Sequence, residues 1–411
     1  MIPALMESIK LSDVQAARRR IKSGIQLTQL MHSRSLSDWF GLDMFLKHEN
    51  EQRTGSFKIR GALNKIRSLS EEDLARGIVA SSAGNHAQGV ALSASLSGAK
   101  AHIVMPKTSP LIKVTATENY GAQVYLEGAF YDEAYAYAKK LEDEHGYIFV
   151  HPFRDPLVIA GQGTIGLELL EQNPDLDSVV VPIGGGGLIS GIAMVIKSLK
   201  PDCKVYGVVS DRAPAMRHLF MGEKPNPPEN ISTIAEGIAV KEPSPEIHEL
   251  YISKYVDDIV EVSDSEIASA MVLLLERAKT VTEGSAAASV AGAMKMKDKW
   301  DFGKNAALLL CGGNVDLNVM AQVIEKGLAS KGRLTRIRVY VDDRPGILTG
   351  LTQILSELGA NILEVHHDRR DPQLQIRQTA IDFLLETTSK AHVKQLTEVL
   401  DKKCLAVETI H

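Results

Sequence analysis

From about residue 41 to 320, short apolar runs rich in β-branched residues alternate with longer stretches of helical periodicity, the rhythm of parallel sheets covered by crossover helices. Strands are expected over residues 42–47, 77–80, 101–105, 123–126, 178–182, 205–209 and 306–310, and helices over 131–144, 159–171 and 266–279. Three loops follow strands directly: Ser-Ser-Ala-Gly-Asn at 81–85, a run of glycines at 184–187 and Cys-Gly-Gly-Asn at 311–314. In open parallel sheets ligands bind outside the carboxyl ends of the strands, so loops from distant parts of the chain can line one cleft.

The rhythm changes after a helical stretch over 316–329 that ends in Ser330-Lys331-Gly332. A strand over 334–342, a helix over 346–358, strands over 361–367 and 377–386, a helix over 391–402 and a strand over 404–410 follow. That order, βαββαβ, is ferredoxin-like. The expected organisation is an α/β unit over 1–332, with a smaller subdomain over about 51–153 inserted in it, and a two-layer domain over 333–411.

With 411 residues, 44% of them hydrophobic, the chain has material for more than one core. Its 51 acidic and 46 basic residues leave a net charge of −5 and are scattered, without the basic blocks of a nucleic-acid binder. No apolar run approaches the roughly 20 residues that span a bilayer. The start, Met-Ile-Pro-Ala-Leu-Met-Glu-Ser, lacks the basic and apolar regions of an export leader. Cys203, Cys311 and Cys404 stand far apart with neither disulfide nor zinc spacing, which fits a reducing cytoplasm and points to no metal site.

Candidate chemistry begins at Lys58, in the tight segment Gly55-Ser56-Phe57-Lys58-Ile59-Arg60-Gly61, which offers an amine able to condense with an aldehyde. Gly184, Gly185, Gly186, Gly187 and Leu188 follow an apolar strand and open a helix, where converging N–H groups and the helix dipole can hold a phosphate. A molecule carrying both an aldehyde and a phosphate is pyridoxal 5′-phosphate (PLP). The run fits neither the dinucleotide fingerprint, since Ile189 takes the place of its last glycine, nor the P-loop, since no Lys-Ser/Thr pair follows. Asn85 can donate to a phenolate oxygen, and the N–H groups around Ser82, Ala83, Gly84, Asn85 and His86 at a helix start can receive a substrate carboxylate. Taken singly, these residues have plainer readings: an idle loop lysine, a flexible turn, a core or capping His86, and a small buried hydrophobe at Cys311.

Together they resemble the threonine dehydratase branch of the fold-type II PLP enzymes, through nearly the whole chain. The resemblance is carried by Lys-His-Glu-Asn at 47–50, residues 54–62, Ser-Ala-Gly-Asn-His-Ala-Gln-Gly at 82–89, residues 184–188, Glu236-Gly237, Thr282-Glu283-Gly284 and residues 311–314. It implies a tryptophan synthase β-like α/β fold of two parallel-sheet subdomains, followed by a ferredoxin-like ACT domain. By the same resemblance Lys58 forms an aldimine with PLP and later acts as general base on the substrate Cα proton. Phe57 and Asn85 would contact the cofactor ring, residues 184–188 its phosphate, and Gly237 and Glu283 would also line it. Cys311 falls where relatives place Ser, Thr or Cys beside the pyridine nitrogen. A neutral thiol there cannot keep that nitrogen protonated, which favours expulsion of a β-hydroxyl. From threonine the expected products are 2-oxobutanoate and ammonia.

Relatives that racemise serine carry serine at the position of Ala83, and acidic ligands for a divalent ion where this chain has Val209 and Ala215. Neither racemisation nor a structural magnesium is therefore expected. In the ACT-like region Asp343, Pro345 and Gly346 mark a strand-to-helix turn that would receive a small amino-acid effector, an ordinary solvated turn being the alternative. The resemblance also implies a homodimer or homotetramer. Two further readings stay open: a serine-preferring dehydratase, since one methyl group contributes only about 1–3 kcal/mol of discrimination, and a catalytically silent amino-acid sensor.

Overall fold

Uninterrupted apolar runs such as Ser178–Pro182 become strands buried on both faces, as parallel sheets require. The computed structural model describes residues 8–226, 231–370 and 374–410. Residues 1–7, read above for a leader, lie outside them. The first compact unit ends at Asp316 and contains β1 (Leu30–His32), β2 (Asp43–Lys47), β3 (Ile78–Ser81), β4 (Ala101–Met105), β5 (Gln123–Leu126), β6 (Ile148–Phe149), β7 (Ser178–Pro182), β8 (Lys204–Ser210), β9 (Asp258–Val262) and β10 (Asn305–Leu309). The larger sheet runs β1-β2-β10-β7-β8-β9 and is parallel except for the β1–β2 pair. The smaller, β5-β4-β3-β6, is parallel throughout.

Three strands were not expected from the sequence. β1 and β6 have three and two residues, too few to display a period. β9 lies at the sheet edge, where Asp258 and Glu261 break its apolar run. The helix expected over 266–279 starts at Asp264, because Ser263 Oγ accepts from Glu266 N and Glu266 accepts from Ser263 N in a capping box. It relaxes into a π turn at Leu274–Ala278 and stops where Lys279 turns left-handed at φ 56°.

Helices Lys58–Ile66, Pro156–Gln172 and Gly187–Leu199 meet backbone to backbone through glycine. A β-carbon on Gly161 would stand 2.5 Å from the Arg60 carbonyl oxygen, and one on Gly191 2.4 Å from the Ile159 carbonyl oxygen. Asp155 caps the middle helix, accepting from Leu157 N at 2.8 Å, with Pro156 at its first position.

The second compact unit, Leu317–His411, begins with helix Leu317–Ser330, which the sequence pattern had joined to the preceding unit. It holds β11 (Leu334–Asp342), β12 (Asn361–Asp368), β13 (Gln378–Glu386) and β14 (Ala406–Ile410) in an antiparallel sheet of order β12-β13-β11-β14. Period-two alternation buries Ile337, Val339 and Val341 on β11, while Leu351 and Leu355 of helix Ile347–Glu357 and Leu396 and Leu400 of helix Lys390–Asp401 join the same core. Arg377 lies just before β13 rather than in it, its φ of 70° being incompatible with a strand.

Candidate active site

The loops after β3, β7 and β10 and the start of helix Lys58–Ile66 form a closed circuit. Ser56 bridges to Gly312 and Phe57 N donates to the Cys311 carbonyl at 3.1 Å, fastening the lysine segment to the loop after β10. Lys58 opens its helix, and its Nζ donates to the Pro152 carbonyl at 3.3 Å and lies 5.2 Å from the centre of the buried Phe57 ring. Phe153, next in the chain, leans on the glycine loop: a β-carbon on Gly185 would stand 2.4 Å from its ring, and one on Gly187 2.9 Å from its carbonyl oxygen. Behind that loop, a β-carbon on Gly184 would stand 3.3 Å from the Gly237 carbonyl oxygen, and one on Gly237 3.2 Å from Glu283 Oε1. Glu283 accepts from Asn85 Nδ2 at 2.9 Å through both oxygens. Asn85 Oδ1 accepts in turn from Asn314 Nδ2 at 2.8 Å, and Glu283 N donates to the Gly312 carbonyl at 3.1 Å, which returns the circuit to Cys311.

Burial disfavours charge inside this ring. Burial pushes the Lys58 amine down to about 8, although nearby Glu283 pulls the other way. Burial pushes the Glu283 carboxyl up to about 7 against the stabilising Asn85 donor. Burial also raises the Cys311 thiol well above its ordinary range, so it is neutral. His86 is held down to about 3 by burial, with Nε2 on the Val150 carbonyl at 2.8 Å, and is a core residue through its side chain.

At β7 the picture reverses, because the wall offers uncompensated donors. Among the described residues the N–H groups of Gly184, Gly185, Gly186, Gly187 and Leu188 find no acceptor. Gly186, at φ 88°, is the N-cap of helix Gly187–Leu199, whose dipole adds positive potential at the same place. On the loop after β3, Ser82 Oγ accepts from Gly84 N at 3.2 Å, half-exposed Ala83 follows, and Gly84 caps helix Asn85–Leu96 with open space where a β-carbon would be.

The family model described as "Pyridoxal-phosphate dependent enzyme" matches residues 21–312. The chain belongs to this family. An ACT domain matches residues 335–404. The L-threonine ammonia-lyase of Thermotoga maritima is 48% identical over 402 residues, which are 98% of this chain and 100% of that protein. Among solved structures, the processed form of threonine deaminase isoform 2 from Solanum lycopersicum is similar with a TM-score of 0.71 and 34% identity, covering 78% of this chain and 90% of its own. Maize serine racemase is similar with a TM-score of 0.73 and 33% identity, covering 79% and 99%. Members of the PLP-dependent family use the cofactor as electrophile, and this ring fits it: unpaired N–H groups suit the phosphate, and one amine suits the aldehyde.

Sequence reasoning missed Pro152 and Phe153, which join the amine to the glycine loop. The available signal was His-Pro-Phe directly after an apolar stretch, but the two residues of β6 were too short to announce a strand end. Asp343, Pro345 and Gly346 belong to the ACT unit. There Gly346 caps helix Ile347–Glu357 at φ 84°, and exposed Asp343 accepts from Arg369 Nε at 2.9 Å, which holds its carboxyl below the usual range. Among the described residues no helix is long and apolar enough to cross a membrane.

Proposed function

We propose that this chain deaminates L-threonine to 2-oxobutanoate and ammonia, with Lys58 as its reacting amine. The observation that carries the reading is the placement of a single lysine Nζ, its pKa lowered by burial to about 8, inside a ring whose far wall is the donor-rich glycine loop. When bound, PLP supplies the aldehyde that captures an amino group and the conjugated ring that spreads charge from Cα. The N–H groups of residues 184–188 would hold the phosphate, and Asn85, the plane of whose amide Glu283 and Asn314 fix, would donate to the ring oxygen. Phe57 would pack beside the ring, and Gly237 leaves room for Glu283. The neutral Cys311 thiol would stand beside the ring nitrogen and could not protonate it.

Substrate carboxylate rests on the N–H groups of Ala83, Asn85 and His86 at the helix start, beside Ser82 and Gly84, whose own N–H groups donate to the Val104 carbonyl and to Ser82 Oγ. Lys58 Nζ then takes the Cα proton, with the Pro152 carbonyl as the acceptor that aims it. Ala83 offers only a methyl group on the loop that faces the substrate, so it supplies no second acid for reprotonation, and loss of the β-hydroxyl is the open route. Comparing 2-oxo acid release from threonine and serine tests the substrate: kcat/KM for threonine is expected to exceed that for serine, and the reverse order would make this a serine dehydratase.

Cofactor uptake provides a pH test. An amine protonated below about 8 cannot attack an aldehyde, so uptake of PLP by the cofactor-free enzyme should rise about tenfold per pH unit below 8 and flatten above it. A rate still climbing toward 10.5, the ordinary lysine value, would show that Lys58 is not the desolvated amine inferred here.

The ACT unit is read as a sensor for a small amino acid at the turn formed by Asp343, Pro345 and Gly346. Further readings are a division into a catalytic domain over 1–332, with 51–153 inserted, and a regulatory domain over 333–411, a homodimer or homotetramer, and a cytoplasmic location. Cys203, Cys311 and Cys404 are free thiols, in keeping with that location.

A further inference from the structure

Two residues beyond Lys58 on the same helix, Arg60 is completely buried and spends every donor it has. Its Nε and Nη2 grip Glu49 at 2.8 and 2.7 Å, Nη1 reaches Thr164 Oγ1 at 3.1 Å and Glu168 Oε1 at 2.5 Å, and Nη2 reaches Glu168 Oε2 at 2.9 Å. Buried Lys47 balances the charge, donating to Glu168 Oε2 at 2.7 Å. We propose that Arg60 is a positioning residue for Lys58, an anchor that fixes the rotation and height of the helix from which the amine projects.

Residues two apart on an α-helix point roughly 200° away from each other. The Lys58 amine and the Arg60 fork therefore leave the helix on opposite sides, one toward Pro152 and one into the core. What the fork grips is informative. Glu49 follows β2 of the large sheet, whereas Thr164 and Glu168 lie on helix Pro156–Gln172, which begins a few residues after Pro152 and Phe153. The amine and the carbonyl that accepts from it are thus both referred to one ion cluster.

The rest of the helix's packing is close and largely apolar. The helix touches its neighbours through glycine: a β-carbon on Gly61 would stand 2.8 Å from the Val158 carbonyl oxygen, and one on Gly89 3.1 Å from Ile59 N. Ile59, Ala62, Leu63 and Ile66 add buried apolar contacts around it, which are non-directional and set the spacing of the helix more than its rotation. A planar guanidinium held by two carboxylates adds a directional restraint to that packing. Buried ion pairs add little net stability compared with apolar packing, so what such a cluster contributes here is direction.

The proposal rests on Lys58 being the reacting amine, and its test separates the two. Arg60→Lys keeps the charge and loses the fork, while Thr164→Val removes one neutral acceptor and leaves all charges in place. In holoenzyme, Arg60→Lys is expected to lower kcat for threonine about 10- to 100-fold with KM changed less than about threefold, the size of loss that an ångström-scale misplacement produces. Thr164→Val should lower kcat several-fold in the same pattern. In the cofactor-free protein both should slow the uptake of PLP, followed by its visible absorbance, while thermal melting shows the chain folded. Folded variants that take up PLP and turn over like the parent would overturn the role, and if Arg60→Lys cannot be purified folded, Thr164→Val decides by the same readouts. Lys58→Ala is run beside them: if it remains active, the Lys58 reading itself fails, whatever Arg60→Lys does.

Discussion

Replacing Lys58 with alanine is expected to lower 2-oxobutanoate release by at least about 10³-fold, in the upper part of the range for loss of a positioned general base. The visible band of lysine-bound PLP should vanish with it. The size follows from the neighbourhood, because no other group can take over. His86 is near enough to feel the Lys58 charge, but its Nε2 is tied to the Val150 carbonyl and burial keeps it neutral with a value of about 3, far too weak a base. His151 is likewise pushed down to about 4 by burial, and its Nδ1 already accepts from Phe153 N and Arg154 N. Glu283 is held by Asn85 through both oxygens. Addition of a small primary amine should restore part of the rate by filling the space of the missing side chain. A variant that keeps both band and turnover would place the reacting amine elsewhere. A parent protein with neither would favour the silent sensor, although the unpaired N–H groups of residues 184–188 are a poor match for a disused site.

What the sequence disclosed and what it hid follow from how local each signal is. β7 was legible as Ser-Val-Val-Val-Pro, and the glycine loop after it was legible as an anion site, because strand, loop and helix start are contiguous. The small antiparallel domain was readable for the same reason, with β11 alternating strictly along its length. Lys58 stood out through the glycines at 55 and 61 and Phe57 beside it, but only the resemblance gave it a role. The ion cluster around Arg60 was hidden altogether. Lys47, Glu49, Arg60 and Glu168 lie as much as 121 residues apart, and each alone reads as an ordinary surface charge. Their burial is a consequence of tertiary packing that no periodicity reports. Phe153 was hidden in a milder way, because its place against Gly185 depends on where the two-residue strand β6 happens to end.

A methyl group added at Gly191 should cost about 3 kcal/mol of stability and loosen PLP as well, near the top of the usual range for overpacking. A β-carbon there would lie 2.4 Å from the Ile159 carbonyl oxygen and 2.6 Å from Gly163 N. Both obstacles are backbone, so no rotamer change can relieve them, and helices Pro156–Gln172 and Gly187–Leu199 must separate. The second of these helices carries the anion-binding loop at its N-terminus, one turn above the clash. Its displacement moves the N–H groups of residues 184–188 relative to Phe153 and Lys58, so the loss should show in the PLP dissociation constant as well as in the melting temperature. Gly350→Ala provides the control. That glycine also lies inside a helix, Ile347–Glu357, but it is exposed, has no left-handed φ and meets nothing within 4 Å of an added β-carbon. There the same chemical change should stabilise the ACT unit by up to about 1 kcal/mol through helix propensity and leave PLP affinity alone. Equal effects at the two positions would mean that helix propensity, and not the contact between these two helices, decides the outcome at Gly191.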